Sequence, residues 1–388
     1  MFKKLAKFGL LPLVITAIGL GIGAGLIFPD WLVRVFLTFN GLFGQFLGFI
    51  VPLLILGLIA PGIADLGKGA GKLLLFTVLL SYGFTLFAGF FTFATAEIAY
   101  PFLLNTISSL EAFSVQHELA PYFTLPIPPV MDVTTSLVLA FMLGMGMALI
   151  KGDSLKKLMY DFRDIINKVI ASLIIPLLPL YIFGIFLNMT VNGQAAAVIS
   201  VFSKIIIFIF LITLVVLLAE FAIAGVVDRK NPFKMLKAML PAYFTALGTA
   251  SSAATIPVTY KQVQTLGVRE EIASFTVPLC ANIHMSGSTI KITACAVAIL
   301  MITGAELNLW QFVGFICMLG ISIVAGPGVP GGAIMASLGV LQKMLGFNEQ
   351  MLGLMIALYI AMDSFGTACN VTGDGAISVI VDKIYRKK

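Results

Sequence analysis

The chain has 388 residues, of which 60% are apolar and only 11% charged, a balance that fits a polytopic membrane protein and that no soluble globular domain needs. The net charge of +6 does not point to a nucleic-acid partner, because the basic residues sit in short clusters between apolar stretches. The four cysteines, Cys280, Cys295, Cys317 and Cys369, lie in apolar segments without metal-ligand spacing and suggest neither a disulfide framework nor a zinc site.

The first apolar run follows Lys3, Lys4 and Lys7 and imitates a secretory leader. It continues into further apolar segments without a small-residue cleavage site, so it reads as a first spanning helix. A span needs roughly 20 apolar residues. Hydropathy predicts spans near 9–27, 33–60, 70–96, 130–150, 165–190 and 196–226, several of them long enough to tilt. The stretch from Glu97 to Asp132 carries four acidic residues, Glu97, Glu111, Glu118 and Asp132, and no basic one, and His117 within it reads as a loop residue. The basic clusters fall instead in alternate loops and at both ends. That positive-inside pattern predicts a multi-pass protein of the cell (inner or plasma) membrane, surrounded by lipid, with both termini cytoplasmic.

After Arg229 the pattern changes. Residues 233–265 are apolar but interrupted by Gly248-Thr249-Ala250-Ser251-Ser252-Ala253-Ala254-Thr255-Ile256-Pro257, with basic residues on both flanks. This predicts a re-entrant helical hairpin with a small, polar, non-helical tip. Residues 272–303 span outward with a polar centre, Ala281-Asn282-Ile283-His284-Met285-Ser286-Gly287-Ser288. Residues 309–345 contain a second interruption, Ala325-Gly326-Pro327-Gly328-Val329-Pro330-Gly331-Gly332, before 350–382 spans inward. Two broken hairpins entering from opposite faces, each followed by a span with a polar centre, form an inverted repeat, and the breaks point at a site. In the last span Asp363, Thr367, Asn370 and Asp374 are spaced four, three and four residues apart and share one helical face. Ionisable groups at membrane depth are costly and usually line a pathway or a binding site, so the chain is expected to move a small polar solute or an ion.

At these residues the chain resembles the glutamate transporter family, the dicarboxylate/amino acid:cation symporters. The family's serine-rich first hairpin, ending in Thr-Leu-Pro, is matched by Ser251-Ser252-Ala253-Ala254-Thr255-Ile256-Pro257. Its Asn-Met-Asp-Gly-Thr is matched by His284-Met285-Ser286-Gly287-Ser288, its Gly-Val-Pro-Gly by Gly328-Val329-Pro330-Gly331, and its Asn-Val-x-Gly-Asp by Asn370-Val371-Thr372-Gly373-Asp374. The resemblance implies an all-α integral membrane fold of eight transmembrane helices plus two re-entrant helical hairpins, a homotrimer and an elevator-type mechanism. Scaffold helices would occupy 1–69 and 129–192. Residues 70–128 would hold a third helix and an extracellular loop. Residues 193–388 would form the transport-domain core, with hairpins at 233–265 and 309–345.

The resemblance also implies site residues. Asp374 and Asn370 match a sodium-binding pair, helped by the main-chain carbonyls of Cys280 and His284. A carboxylate with amide and main-chain oxygens suits a hard cation, although a buried aspartate satisfied by helix ends would look the same. Asp363 and Thr367 match positions that hold a substrate ammonium group, where a carboxylate makes a charge-assisted bond. The alternative is an internal ion pair with Lys291. Ser251, Ser252, Ser288, Val329 and Gly331 match the parts that hold a substrate carboxylate, largely through main-chain N–H groups. Where acidic-substrate members carry an arginine, this chain has Gly366, and the alternative arginine position before the hairpin serines is Ala250. Without a bidentate guanidinium a side-chain carboxylate loses selectivity, which favours a small neutral amino acid. Tyr359 stands where those members have an aspartate beside the arginine.

Lys291 has three readings: a structural pair with Asp363, a contact for a second substrate carboxylate, or a stand-in for bound sodium. His284 and Ser286 replace an asparagine and an aspartate of one sodium site, and His284 either titrates and couples protons or packs as a satisfied core residue. Lys204 and Glu220, in the sixth span, are expected towards its ends or snorkelling. The leading function is sodium-driven symport of a small amino acid or carboxylate into the cell, with sodium ions of open number and no organic cofactor. The alternatives are a proton-coupled or uncoupled transporter of the same fold and a leak channel. An enzyme is not expected, since HExxH and GxSxG are absent and Asp363 and Asp374 lie ~16 Å apart along one helix.

Overall fold

The structure is a computed structural model that describes residues 10–66, 72–104, 119–193, 195–324 and 331–386. Among these residues every regular element is helical. In chain order the helices are α1 (Leu10–Gly25), α2 (Asp30–Leu66), α3 (Lys72–Leu103), α4 (Val133–Leu149), α5 (Ser154–Val191), α6 (Ala195–Asp228), α7 (Pro232–Thr249), α8 (Ser252–Thr265), α9 (Glu270–Ile283), α10 (Ser286–Ile302), α11 (Leu309–Val324), α12 (Gly332–Leu345), α13 (Glu349–Ala361) and α14 (Asp363–Arg386). Among the described residues five helices, or six counting the bent pair α13–α14, are long and apolar enough to cross a bilayer. α1 and α4 are apolar but only 16 and 17 residues long, at the short end of what spans. Outward-facing side chains of the long helices are apolar, as at Leu75, Leu79, Ile207 and Leu211, a surface suited to acyl chains rather than water. The chain is a multi-pass membrane protein.

The fifth helix begins earlier than the expected 165. Ser154–Val169 is a charged, one-sided helix that runs directly into the apolar part. The join is a π-turn over Ile170–Ile174, where Pro176 has no N–H to complete the regular ladder.

Four interruptions position the polar residues. α7 starts on Asn231, whose side chain accepts from the N–H groups of Phe233 (2.9 Å) and Lys234 (3.2 Å). It ends at Ala250, which adopts φ +49°, a left-handed conformation uncommon for a residue with a Cβ. Ser251 then caps α8 by accepting from Ala254 N–H at 3.3 Å. The first hairpin therefore breaks at the predicted tip. α9 and α10 are separated at His284–Met285, both non-helical, and α13 and α14 meet at Met362 with a bend of 61°. The tip between α11 and α12, residues 325–330 with Val329, lies outside the described residues; Gly331 follows it at φ +79° and starts α12, a conformation that suits glycine.

Packing places these breaks at the centre. α1 lies on α5 and α2 on α4, while α10 packs on α3 and α14, and α14 is surrounded by α6, α7, α8 and α9. α10 is buried along almost its whole length, so its polar residues cannot be satisfied by solvent and must find partners across the helix interfaces. The α10–α14 contact is close at Gly287, where an added Cβ would stand 2.7 Å from Cys369 Cβ and overlap the Gly366 carbonyl. Gly287→Ala should destabilise the protein by about 1–3 kcal/mol through overpacking, read as a lower Tm of the purified protein; an unchanged Tm would show that the two helices are not so closely apposed.

Candidate functional site

The interruptions converge on one cavity of about 60 Å3, room for roughly four to six water-sized heavy atoms. Its wall combines Ser251 and Ser252 at the first hairpin tip with Gly332 and Ala333 at the start of α12. Asn282, Met285 and Ser288 from the α9–α10 break, Tyr359 from α13, and Asp363, Thr367 and Asn370 from α14 complete the polar lining. Of the residues singled out in the sequence, Ser251, Ser252, Ser288, Asp363, Thr367 and Asn370 meet here. Gly331 joins them through its N–H, which donates to Asp363 Oδ2 at 2.7 Å. Val329 lies outside the described residues. α8 and α12 both begin at the cavity, and their first-turn N–H groups and positive dipole ends favour an anionic group there.

Asp363 is the only charged side chain among the described lining residues. Lys291 Nζ lies 3.1 Å from its Oδ1 and 3.4 Å from its main-chain oxygen. The lysine is 1% exposed and its Nζ stands 3.8 Å from the centre of the Tyr359 ring, which supplies a second favourable surface for the ammonium. The structural ion pair anticipated for Lys291 is thus formed. Gly366 explains how it fits: a Cβ there would overlap the lysine chain and stand 2.5 Å from Nζ. Lys291 and Gly366 do not line the cavity but lie behind it. Thr367 Oγ1 donates to the Asp363 carbonyl at 3.1 Å. Ser288 Oγ is 3.2 Å from the Tyr359 hydroxyl and accepts from Asn370 Nδ2 at 3.4 Å.

A second polar cluster lies deeper. Gly287 N–H donates to Asn370 Oδ1 at 2.8 Å, which turns that side chain inward. His284 Nδ1 is 3.1 Å from both the Asn370 carbonyl and Asp374 Oδ1. Both neighbours accept, so Nδ1 carries a hydrogen. Nε2 faces Ser286 Oγ at 2.8 Å and Glu220 Oε1 at 3.3 Å, and Ser286 donates to Glu220 Oε1 at 2.8 Å. The Cys280 main-chain oxygen accepts from His284 N–H at 2.9 Å. Glu220 Oε2 is buried without a hydrogen-bond partner, against Gly373.

Glu220 corrects an expectation. It neither snorkels nor sits at a helix end; it is 0% exposed and faces the α9–α10 break. It stands eight residues before the end of α6 at Asp228, about 12 Å along the axis, farther than a glutamate side chain reaches. The signal available in the sequence was Ser286 itself, which stands where the resemblance has an aspartate and whose hydroxyl here meets the Glu220 carboxylate. Among the described residues no three His, Cys, Asp or Glu side chains form a metal centre; the imidazole stands within hydrogen-bonding distance of both carboxylates.

Removing the imidazole leaves two buried carboxylates facing each other, and breaking a buried ion pair costs about 3–5 kcal/mol. His284→Ala should therefore lower the Tm strongly, and adding Glu220→Gln should restore much of the loss. Additive losses in thermal unfolding would show that the two side chains are not coupled.

The profile of the sodium:dicarboxylate symporter family matches residues 10–384. The serine/threonine transporter SstT of Acinetobacter baumannii is 27% identical over 398 aligned residues, spanning 98% of each chain. The same transporter of Acinetobacter baylyi is 24% identical over 99% of each chain. Human excitatory amino acid transporter 2 is 28% identical over 243 residues, 61% of this chain and 42% of its own length. These relatives are transporters, not enzymes. The chain belongs to the sodium:dicarboxylate symporter family.

Proposed function

We propose that the protein is a secondary active symporter that brings a small carboxylate-bearing solute, a neutral amino acid or a simple carboxylate, into the cell together with sodium. The observation that carries this reading is the cavity lined by the first hairpin tip, by the described ends of α11 and α12, and by the polar sections of α10 and α14. A solute held there lies between two interrupted elements, and two helix N-termini meet its anionic end. The cavity volume favours a solute of a few heavy atoms. The solute's hydroxyl or amide-accepting groups would meet Ser251, Ser252, Ser288, Thr367 and Asn370.

Sodium would travel with the solute as a co-transported substrate. Asp374 and the unpartnered Glu220 Oε2 are the acidic oxygens offered to it, with main-chain carbonyls around the α9–α10 break; a carboxylate with neutral oxygens suits such an ion. In this reading α3, α6 to α14 form a transport domain that moves as an elevator against a scaffold of α1, α2, α4 and α5. The packing of α1 on α5 and α2 on α4 supports that division. Assembly as a homotrimer in the cell (inner or plasma) membrane, with cytoplasmic termini, belongs to the same proposal and is supported by family membership and by the distribution of lysine and arginine.

One arrangement favours a second reading. His284 lies against both Glu220 and Asp374, and Lys291 against Asp363. Tethered cationic side chains at these carboxylates would let the protein run on protons, or on no ion at all, with His284 and Lys291 in place of bound sodium.

Reconstitution in liposomes separates the two. An inward sodium gradient should raise saturable uptake of a small labelled carboxylate at least several-fold over an equal potassium gradient, and Asp374→Ala should lose the stimulation. Uptake driven by a pH gradient and indifferent to sodium would establish the second reading. Current without saturable uptake would overturn both.

A further inference from the structure

The site holds its own ammonium group. Asp363 supplies the only negative charge at the cavity wall among the described residues, and the undescribed stretch 325–330, Ala-Gly-Pro-Gly-Val-Pro, has no ionisable side chain to add. Both carboxylate oxygens are already engaged. Oδ1 faces Lys291 Nζ at 3.1 Å, and Oδ2 accepts from Gly331 N–H at 2.7 Å. The lysine is buried, sits over the Tyr359 ring, and occupies the space that Gly366 leaves by having no side chain. It is therefore built into the packing and has no solvent-facing alternative.

A solute ammonium entering this cavity would have to share one negative charge with Lys291 and lie beside another cation in a desolvated site. The remaining lone pairs of Asp363 do not offset that repulsion. A solute carboxylate meets the opposite conditions: the helix starts of α8 and α12, hydroxyls at Ser251, Ser252 and Ser288, and the Asn370 amide, with the neighbouring acid already neutralised. Resting on the carrier reading above, we infer that the solute is a small hydroxy acid without an ammonium group, and that Lys291 is the specificity-determining residue that excludes amino acids.

The test uses the full chain and pairs of solutes that differ only in amino against hydroxyl: lactate and alanine, glycerate and serine, malate and aspartate. Thermal unfolding of the purified protein and counterflow in liposomes are measured for each pair, since a ligand that binds the folded state raises its Tm. At least one hydroxy acid should raise the Tm and support counterflow, with its amino partner at least tenfold weaker. Lys291→Met frees Asp363 and should gain the amino partner while weakening the preference for the hydroxy acid. The Lys291→Met/Asp363→Asn protein, which leaves no lone buried charge, should fold even where Lys291→Met does not. It should keep the hydroxy acid and still reject the amino acid. Equal or better binding and counterflow of the amino partner by the wild-type protein would overturn the inference and leave the carrier reading standing. A shift or counterflow with none of the six solutes would overturn the inference together with that reading.

Discussion

The arrangement depends on how three largely buried carboxylates are held. Glu220, Asp363 and Asp374 come from two helices, α6 and α14, and each faces a basic side chain carried by the α9–α10 segment: His284 for the first and last, Lys291 for the middle one. A buried charge without a partner is among the most destabilising features a protein can carry. The two basic residues therefore fix the register between the segment 284–302 and α14 more tightly than apolar packing would, since a shift of one turn would strand three acids at once.

That register decides what the breaks can do. With α10 and α14 locked, Asn370 takes the Gly287 N–H, the His284–Met285 joint lies against Asn370 and Asp374, and Asp363, just past the Met362 joint, lies against Lys291. The hairpin tip at Ala250–Ser251 and the start of α12 at Gly332 then both line the cavity. Small residues are needed at the closest approaches: Gly287 against Cys369, Gly366 against Lys291 and Gly373 against Glu220. Gly366 and Gly373 give their missing side-chain volume to charged neighbours, and Gly287 gives its own to the close approach of α10 and α14, so the glycines and the ionic contacts act together.

Much of this was legible in the sequence. The break at Ala250–Ser251 was marked by a run of small and hydroxyl residues inside apolar sequence, and the shared face of Asp363, Thr367, Asn370 and Asp374 followed from helical spacing. Both are local signals. The start of the fifth helix was misplaced because a one-sided charged helix does not register as apolar. The role of Glu220 was not legible for a different reason: nothing near position 220 reports that His284 and Ser286 stand opposite it. Likewise Gly366 read as a missing arginine, whereas the structure makes it the space in which the Lys291 chain lies. Residue identity at one position carries the absence of a group; only the partner helix reveals what replaces it.

The central claim is that both hairpin tips enclose the same bound solute. It is tested most directly by placing a single cysteine at Ser252 or at Ala333, one at each tip, in a background with the four native cysteines replaced, and following modification by a membrane-impermeant thiol reagent as solute is added. The account predicts that one transported solute protects both positions with the same concentration dependence. Protection of one tip without the other, or of neither under conditions where the solute is transported, would contradict it.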